Sequence, residues 1–270
     1  MLELTRSVRF CLNPGPTDLG PSGSSAGAPR DNTFSAWPAM RGLGRYYELH
    51  VTCRGVADPK TGYFINIREI DTAVRDQALP YLHEQIKHDA LHTPMGALMH
   101  TILALLQPEL HESVTQIEMA LTPYLSLTAE QNDMNSVLLK QQYDFSAAHR
   151  LHVADLSDAD NRAVFGKCNN PAGHGHNYRL QVVARCTIDE HGRALEAGTL
   201  DAAVNRHCIE HLDHKHLNLD VPELAGLNPS VEHIAQVIWK MLVSNMPQTA
   251  GLEEISVWET DKTVCTYRGQ

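Results

Sequence analysis

The chain has 270 residues, 43% of them hydrophobic and 20% charged, a composition typical of a folded globular protein with one large or two ordinary domains. Its net charge of −10 argues against a nucleic-acid backbone or an anionic membrane as the main partner. No apolar run approaches a membrane span, and the first ten residues lack the apolar core of a signal peptide. Six cysteines without CxxC pairs favour a reducing compartment, so we expect a cytoplasmic protein.

The first half of the chain contains one loop-like segment followed by alternating strand and helix patterns. Gly, Pro, Ser and Asp crowd residues 13–33, which predicts a loop. Period-2 alternation of β-formers predicts strands, and apolar residues three or four apart predict helices. In chain order we expect a strand at 46–54, helices near 68–83 and 95–106, and strand-like residues at 115–127.

The second half repeats this order about 130 residues later. The clearest alignment sets Gly42 and Gly44 over Gly173 and Gly175, with two histidines replaced in the first copy. We therefore predict an α+β protein of two ββααββ units with antiparallel sheets and helices packed on one face. The alternative is that two unrelated α+β segments share a pattern by accident. The predicted parts are a unit at 1–128, a polar linker at 129–141 and a second unit at 142–270.

A glycine-separated pair, His174 and His176, is a candidate metal site. Side chains at i and i+2 of a strand point to one face, so both imidazoles would reach one ion. The pattern is weak by itself, since about one His-x-His is expected by chance among 16 histidines, and 214–216 holds another. His149 would add a third imidazole from a neighbouring strand, unless it is an ordinary strand residue. Three imidazoles leave a fourth tetrahedral position open, as in catalytic zinc sites.

Three further positions carry groups suited to catalysis, and each has a plainer explanation. Cys168 follows Lys167, and a nearby cation lowers the pKa of a thiol; otherwise it is a free loop cysteine. Asp213 beside His214 is a proton-relay pair or a solvated helix end, because adjacent helical residues do not face each other. Glu259 lies on an alternating strand and faces solvent unless a ligand offers it two parallel N–H donors.

Together these motifs resemble the 6-pyruvoyl-tetrahydropterin synthase family over about residues 143–269. Five ordered segments at the family's spacing make the resemblance far more specific than any one motif. They are FSAAHRL (145–151), FGKCNNPAGHGHNY (165–178), LDHKHLNLDVP (212–222), PSVEHIAQVIW (229–239) and VWETDKTVCTYRG (257–269). The resemblance implies that each ββααββ unit is a T-fold and that the two units stand in tandem.

The family pattern also implies a role for each matching residue. His149, His174 and His176 would bind zinc, one ion per chain, and Cys168 would be the general base. The proton-relay pair would be Asp213 with His214, and Glu259 would anchor the pterin ring. The implied reaction is that of a carbon–oxygen lyase, which converts 7,8-dihydroneopterin triphosphate to 6-pyruvoyl-tetrahydropterin with release of triphosphate.

The first half departs from the family wherever chemistry is expected. Its counterparts of the zinc, thiol and pterin residues are Pro14, Trp37, Leu43, Arg45 and Leu121, while His83 and Glu84 stand over the relay pair. We therefore expect no zinc in the first unit. Because T-fold relatives assemble as rings, two units per chain imply a homotrimer.

Three alternatives remain open. The related 6-carboxy-tetrahydropterin synthases of queuosine biosynthesis share the zinc site, the thiol and the anchor, but typically have fewer residues between thiol and first histidine than the five, 169–173, found here. A non-catalytic pterin-binding protein would have kept the fold and lost the reaction. A generic three-histidine zinc hydrolase would need no pterin anchor.

Overall fold

A computed structural model describes residues 1–12, 43–89 and 92–270. The predicted loop at 13–33 lies outside these residues, and so do Gly42, Pro14 and Trp37. The chain divides into two compact units, which are described separately. The N-terminal unit comprises Met1–Leu138 with Thr187–Ala194, and the C-terminal unit comprises Leu139–Cys186 with Leu195–Gln270.

The N-terminal unit contains an antiparallel sheet. Its strands are β1 (Leu2–Leu12), β2 (Arg45–Gly55), β3 (Val114–Ala120), β4 (Leu125–Glu130) and the start of β5 (Asp133–His149). Consecutive strands are neighbours, and β1 to β4 pair in antiparallel fashion. Strand β2 buries Leu49, Val51 and Cys53 completely, because alternate side chains of a strand share one face. The strand-like residues predicted at 115–127 form two strands joined by a turn, and the second strand runs on to Glu130.

The described part of this unit contains three α-helices. They are α1 (Ile67–Ala73), α2 (Leu79–Asp89) and α3 (Met95–Leu106), with a π-helical turn at Val74–Ala78 between the first two. Asn66 caps α1 by accepting a hydrogen bond from the backbone N–H of Arg68. Helix α3 buries Met99, Ile102 and Leu106, which recur at helical spacing and so form one apolar face. Both predicted helices are present, and the first runs further than 68–83.

The C-terminal unit has the same kind of sheet. Strand β5 continues into it and is followed by β6 (His174–Thr187), β7 (Lys215–His216), β8 (Ala250–Thr260) and β9 (Thr263–Tyr267). The order is β5-β6-β8-β9, with β6, β8 and β9 antiparallel, and the short β7 pairs with β5 in parallel.

Four α-helices accompany these strands. They are α4 (Asp158–Phe165), α5 (Ala197–Val204), α6 (Glu210–Leu212) and α7 (Val231–Val243), with a second π-helical turn at Asn205–Ile209. Ser230 caps α7, which buries an apolar face that includes Ile234, Ile238 and Leu242. Helix α4 was not predicted, because Asn161 is its one buried residue and it has no apolar stripe.

The predicted linker at 129–141 is wrong. These residues form the end of β4, a two-residue turn and the first half of β5, in which Val137 and Leu139 are buried. The polar residues that indicated a linker are those of a tight hairpin turn and of the exposed side of a strand. Within the described residues, no helix is both long and apolar enough to cross a membrane.

Candidate metal centre and catalytic residues

Three histidines meet where two strands of the C-terminal unit lie side by side. His149 ends β5, and His174 and His176 begin β6 with their side chains on one face. One ring nitrogen from each lies within 4.8 Å of the others, and the Nε2 atoms of His149 and His174 are 3.2 Å apart. Among the described residues, this is the one such group of three or more potential metal-binding side chains.

The surroundings of His149 fix which of its nitrogens faces the cluster. The ring is fully buried, and Nδ1 donates a hydrogen bond to the Pro229 carbonyl oxygen at 2.7 Å. That bond leaves the Nε2 lone pair directed at the other two rings. Burial lowers the pKa of His149 and also that of His174, so both rings favour the neutral form that a metal requires.

The cluster fits a divalent metal ion by two independent observations. The Nε2 atom of His176 and the Nδ1 atom of His174 are buried without a hydrogen-bond partner. An unpartnered buried nitrogen is unfavourable, and an ion at Nε2 of His176 would satisfy it. Three neutral imidazoles are also the donor set of catalytic zinc sites. His149, His174 and His176 are therefore the residues that would hold the ion.

Glu259 points at this cluster. Its Oε1 atom lies 3.5 Å from Nε2 of His149 and 3.7 Å from Nε2 of His176, and its side chain is only 20% exposed. The pairing of β8 with β9 shifts register between Trp258 and Thr260, so Glu259 occupies a β-bulge. Bulges re-aim a side chain, which explains why this strand carboxylate does not face solvent.

Cys168 lies in a 3-10 turn at Gly166–Asn169, and its carbonyl oxygen accepts a hydrogen bond from the backbone N–H of Leu151. The side chain is half-buried. Burial raises the pKa of the thiol, and the negative charge of Glu259 raises it further. The expectation that Lys167 lowers this pKa is wrong, because the Lys167 side chain is exposed while the thiol lies near a carboxylate.

Asp213 and His214 do face each other, because the helix ends before them. Leu212 is the last helical residue, Asp213 is extended, and His214 adopts the left-handed region with φ 57°. Nδ1 of His214 lies 2.8 Å from Oδ2 of Asp213, whose other oxygen accepts the backbone N–H of Ser146 on β5. The Ser146 N–H and then the imidazole hold the pKa of Asp213 below its usual range.

One cavity of about 560 Å³ is lined by His176 and His214 together. Ser146 and Asn177 contribute to its wall from β5 and β6, and Lys215 adds a cation. Among the described residues, Asp213 and His214 make no hydrogen bond or ion pair with the three histidines. His214 of the relay pair and His176 of the metal cluster thus line the same cavity, and the two groups make no hydrogen bond or ion pair with each other.

Two asparagine side chains that hold the site in place were not predicted from the sequence. Asn161 is fully buried, accepts the backbone N–H of Val153 and donates to three carbonyl oxygens of the loop after His149. Asn169 donates to the Leu151 carbonyl oxygen at 2.7 Å. Both asparagines hold the segment that follows His149 in place. The sequence does not mark them as special, because asparagine is common in loops.

Gly173 forms the turn just before His174, with φ 72°. A Cβ atom there would lie 2.9 Å from Nε2 of His216 and 3.0 Å from the carbonyl oxygen of His149. The position therefore requires glycine for its conformation and for its space. It brings the strand carrying His174 close to the end of the strand carrying His149.

Three imidazoles positioned to hold a metal ion, near a carboxylate and on an antiparallel sheet packed against helices, are the arrangement expected of a metal-dependent enzyme with a T-fold. The family model described as 6-pyruvoyl tetrahydropterin synthase matches residues 138–270. A 6-pyruvoyl tetrahydrobiopterin synthase from Poecilia reticulata is 42% identical over 127 residues, which cover 47% of this chain and 86% of that protein. The human enzyme of that name is 38% identical over 133 residues, covering 49% of this chain and 91% of that protein.

The solved structures include a relative of the same kind. The 6-pyruvoyl tetrahydropterin synthase of Caenorhabditis elegans is 35% identical, covers 50% of this chain and 96% of that chain, and has a TM-score of 0.47. The chain belongs to the 6-pyruvoyl tetrahydropterin synthase family, on the strength of relatives matched over most of their length. The matched region begins next to the boundary of the C-terminal unit.

Proposed function

We propose that this chain is a zinc-dependent lyase that converts 7,8-dihydroneopterin triphosphate to 6-pyruvoyl-tetrahydropterin and releases triphosphate. The observation that carries the proposal is the meeting of His149, His174 and His176 beside Glu259. The named relatives are 6-pyruvoyl tetrahydrobiopterin synthases, and every residue of the expected site is present in the matched half.

A bound ion would supply Lewis acidity and positive charge. Its charge would lower the pKa of the Cys168 thiol, which burial and the Glu259 carboxylate raise. Cys168 is the general base and takes a carbon-bound proton from the substrate side chain. Its turn is anchored to the loop that follows His149, so the thiol is held in a fixed position before substrate arrives.

His214 moves the second proton. Asp213 orients the ring and stabilises its charged form, while Ser146 holds the carboxylate from the other side. The His214 side chain is 83% exposed, so its remaining nitrogen is open to a substrate in the cavity. Lys215 in the same wall places a positive charge where the triphosphate would lie.

Glu259 anchors the pterin. A carboxylate accepts two parallel hydrogen bonds from ring N–H groups, and its partial burial strengthens them.

Incubating zinc-loaded protein with 7,8-dihydroneopterin triphosphate and identifying the product by mass tests the proposal. We expect 6-pyruvoyl-tetrahydropterin and inorganic triphosphate in equal amounts. Formation of the 6-carboxy compound would assign the chain to the queuosine branch, and absence of turnover with zinc bound would leave a pterin-binding protein. The same protein should contain one zinc per chain.

We further propose that the N-terminal unit is a degenerate tandem copy of the T-fold. The two π-helical turns, Val74–Ala78 and Asn205–Ile209, lie 131 positions apart, and so do the β-bulges at Thr52/Cys53 and Val183/Ala184. If T-fold rings hold six units, two units per chain make a homotrimer, and six cysteines without CxxC pairs favour a cytoplasmic location. Light scattering should give three times the 30.0 kDa of one chain, and a stable monomer would contradict it.

A further inference from the structure

Arg150 differs from the other described arginines that are largely shielded from solvent. Arg6, Arg9, Arg75 and Arg185 each form an ion pair with an aspartate or a glutamate. Arg150 is half-buried, and in the described part of the chain no carboxylate lies within ion-pair distance of it. An ion pair therefore does not explain why a guanidinium is held at this position.

The guanidinium of Arg150 instead ties together two segments of the chain. Nε donates a hydrogen bond to the carbonyl oxygen of Asn169 at 3.3 Å, and Nη2 donates one to Nδ1 of His152 at 3.3 Å. Asn169 ends the 3-10 turn that carries Cys168, and His152 lies in the loop that follows β5. Because the N–H groups of arginine form a rigid planar fork, one side chain can hold acceptors on both segments.

His152 serves this tie as a neutral acceptor. Its Nδ1 atom also lies 3.1 Å from Nδ2 of Asn169, and both that amide nitrogen and the guanidinium can only donate. Nδ1 is therefore the unprotonated nitrogen of the ring. The Asn169 amide also donates to the carbonyl oxygen of Leu151 at 2.7 Å, and the backbone N–H of Leu151 donates to the carbonyl oxygen of Cys168 at 2.9 Å. The turn that carries the thiol is thus fastened to the loop at two successive residues.

The backbone of Arg150 reaches a third segment. Its N–H donates to Oδ1 of Asn218 at 2.8 Å, and its carbonyl oxygen accepts a hydrogen bond from Nδ2 of Asn218 at 2.9 Å. Asn218 lies four residues after His214 of the relay pair, and Arg150 directly follows His149. Arg150 therefore joins the segments that carry the thiol, the relay pair and a proposed metal ligand.

We propose that Arg150, with His152 as its acceptor, is a positioning residue that holds Cys168 in the place where the thiol meets the substrate. This rests on the proposed function, in which the thiol takes a carbon-bound proton. A displacement of about 1 Å at a catalytic group can lower the rate by about 100-fold, so a base on a short turn gains from being tied on more than one side. Arg150 acts through the thiol and needs no contact with the substrate.

Turnover and thiol reactivity together test the role of Arg150. In zinc-loaded Arg150→Met, kcat should fall by about 10- to 100-fold with KM unchanged, because the base is displaced while the substrate still binds. Iodoacetamide should alkylate Cys168 about 10-fold faster, since a hydrogen bond that holds the turn closed is lost. Half-buried Cys265 is the internal reference and should react at an unchanged rate. Arg162→Met, at an exposed arginine of α4, is the matched control and should change neither kcat nor the alkylation rate.

Substitutions of His152 separate the acceptor from the ring. His152→Leu removes the acceptor and should reproduce the lower kcat and the faster alkylation of Arg150→Met. His152→Asn restores a carbonyl oxygen near the place of Nδ1 and should recover most of the lost kcat. The double variant Arg150→Met with His152→Leu should be no slower than the slower single variant, because both changes break one tie.

A raised KM for Arg150→Met, with kcat and the alkylation of Cys168 unchanged, would show that the guanidinium binds the triphosphate and would overturn the proposal. Equal losses in His152→Leu and His152→Asn would overturn the part assigned to the acceptor. The alkylation measurement needs no turnover. Faster alkylation of Arg150→Met in a protein without lyase activity would therefore support the tie and overturn the proposed function, so the two failures are distinguishable.

Discussion

The N-terminal and C-terminal units each bury a core of their own and differ in chemistry. At the 131-residue offset given by their π-helical turns and bulges, fully buried Leu49 of β2 corresponds to fully buried Leu180 of β6. At the same offset Arg45 stands for His176 and exposed Leu43 for His174. The comparison teaches that core packing is separable from the residues at the strand ends that would hold a metal ion.

The units also differ in where a helix stops. In the C-terminal unit the helix ends at Leu212, which frees Asp213 and His214 to face each other. In the N-terminal unit α2 continues to Asp89, so Leu82 and His83, which lie 131 positions before Asp213 and His214, are inside a helix. Adjacent helical residues point apart, and a relay pair is therefore excluded there by backbone conformation as well as by residue type.

The largest effect should come from the thiol, which has no counterpart among the described residues of the N-terminal unit. Cys168→Ala should lower kcat by about 10²–10⁴-fold, because it removes the general base. Zinc content, measured by atomic absorption, should not change. Cys265→Ala on β9 is the control and should keep full activity. Full activity of Cys168→Ala would remove the thiol from the mechanism.

The proposal that the two units are copies of one fold predicts similar losses of stability at equivalent core positions. Leu49→Ala and Leu180→Ala should each lower the free energy of unfolding by about 2–5 kcal/mol, since both side chains are fully buried. Urea unfolding of zinc-free protein measures this. Leu43→Ala, at a side chain 96% exposed, should change it by less than about 0.5 kcal/mol. A small loss for Leu49→Ala alone would show that the two cores are not equivalent.

Metal binding should distinguish the two units at one pair of equivalent positions. His176→Ala should weaken zinc binding by about 100-fold. Loss of a group that only supports a ligand weakens metal binding by about 10- to 100-fold, and loss of the ligand itself should weaken it at least as much. Arg45→Ala should leave zinc affinity and stoichiometry unchanged. A second zinc per chain that disappears with Arg45→Ala would refute the assignment of the ion to the C-terminal unit.

The smallest effect concerns the backbone of the relay pair. Glycine adopts positive φ without strain, so His214→Gly should be more stable than His214→Ala by about 1 kcal/mol, although both lose activity. At exposed Lys240 in α7 the order should reverse, with Lys240→Gly less stable than Lys240→Ala by about 1 kcal/mol. Equal stability of the two His214 variants would show that the left-handed conformation is not retained in solution.

Patterns with a fixed period were predictable from the sequence. The alternation at 46–54 and 178–186 gives the central strands, and the spacing of His174 and His176 places both rings on one face. The family motifs led to His149 and Glu259, which the structure brings to the same cluster. These features depend on residue type and spacing alone.

Features set by the backbone were not predictable. His149 is oriented by the backbone carbonyl of Pro229, and since every residue has a backbone carbonyl, the sequence does not indicate this partner. The π-helical turn likewise has no characteristic residue pattern. The polar segment 129–141 indicates a linker as readily as a hairpin, since turns and linkers share their composition. The bulge at Glu259 depends on the pairing of β8 with β9, which the sequence of one strand does not show.

Gly173 has a consequence for how this site can change. A Cβ atom there would lie 2.9 Å from Nε2 of His216 and 3.0 Å from the carbonyl oxygen of His149, so one substitution would disturb the backbone beside both His149 and His174, two of the proposed ligands. Selection acting on the metal centre would therefore remove every substitution at this position, although Gly173 itself carries no functional group. Mutational scanning should find position 173 as intolerant as the ligands themselves.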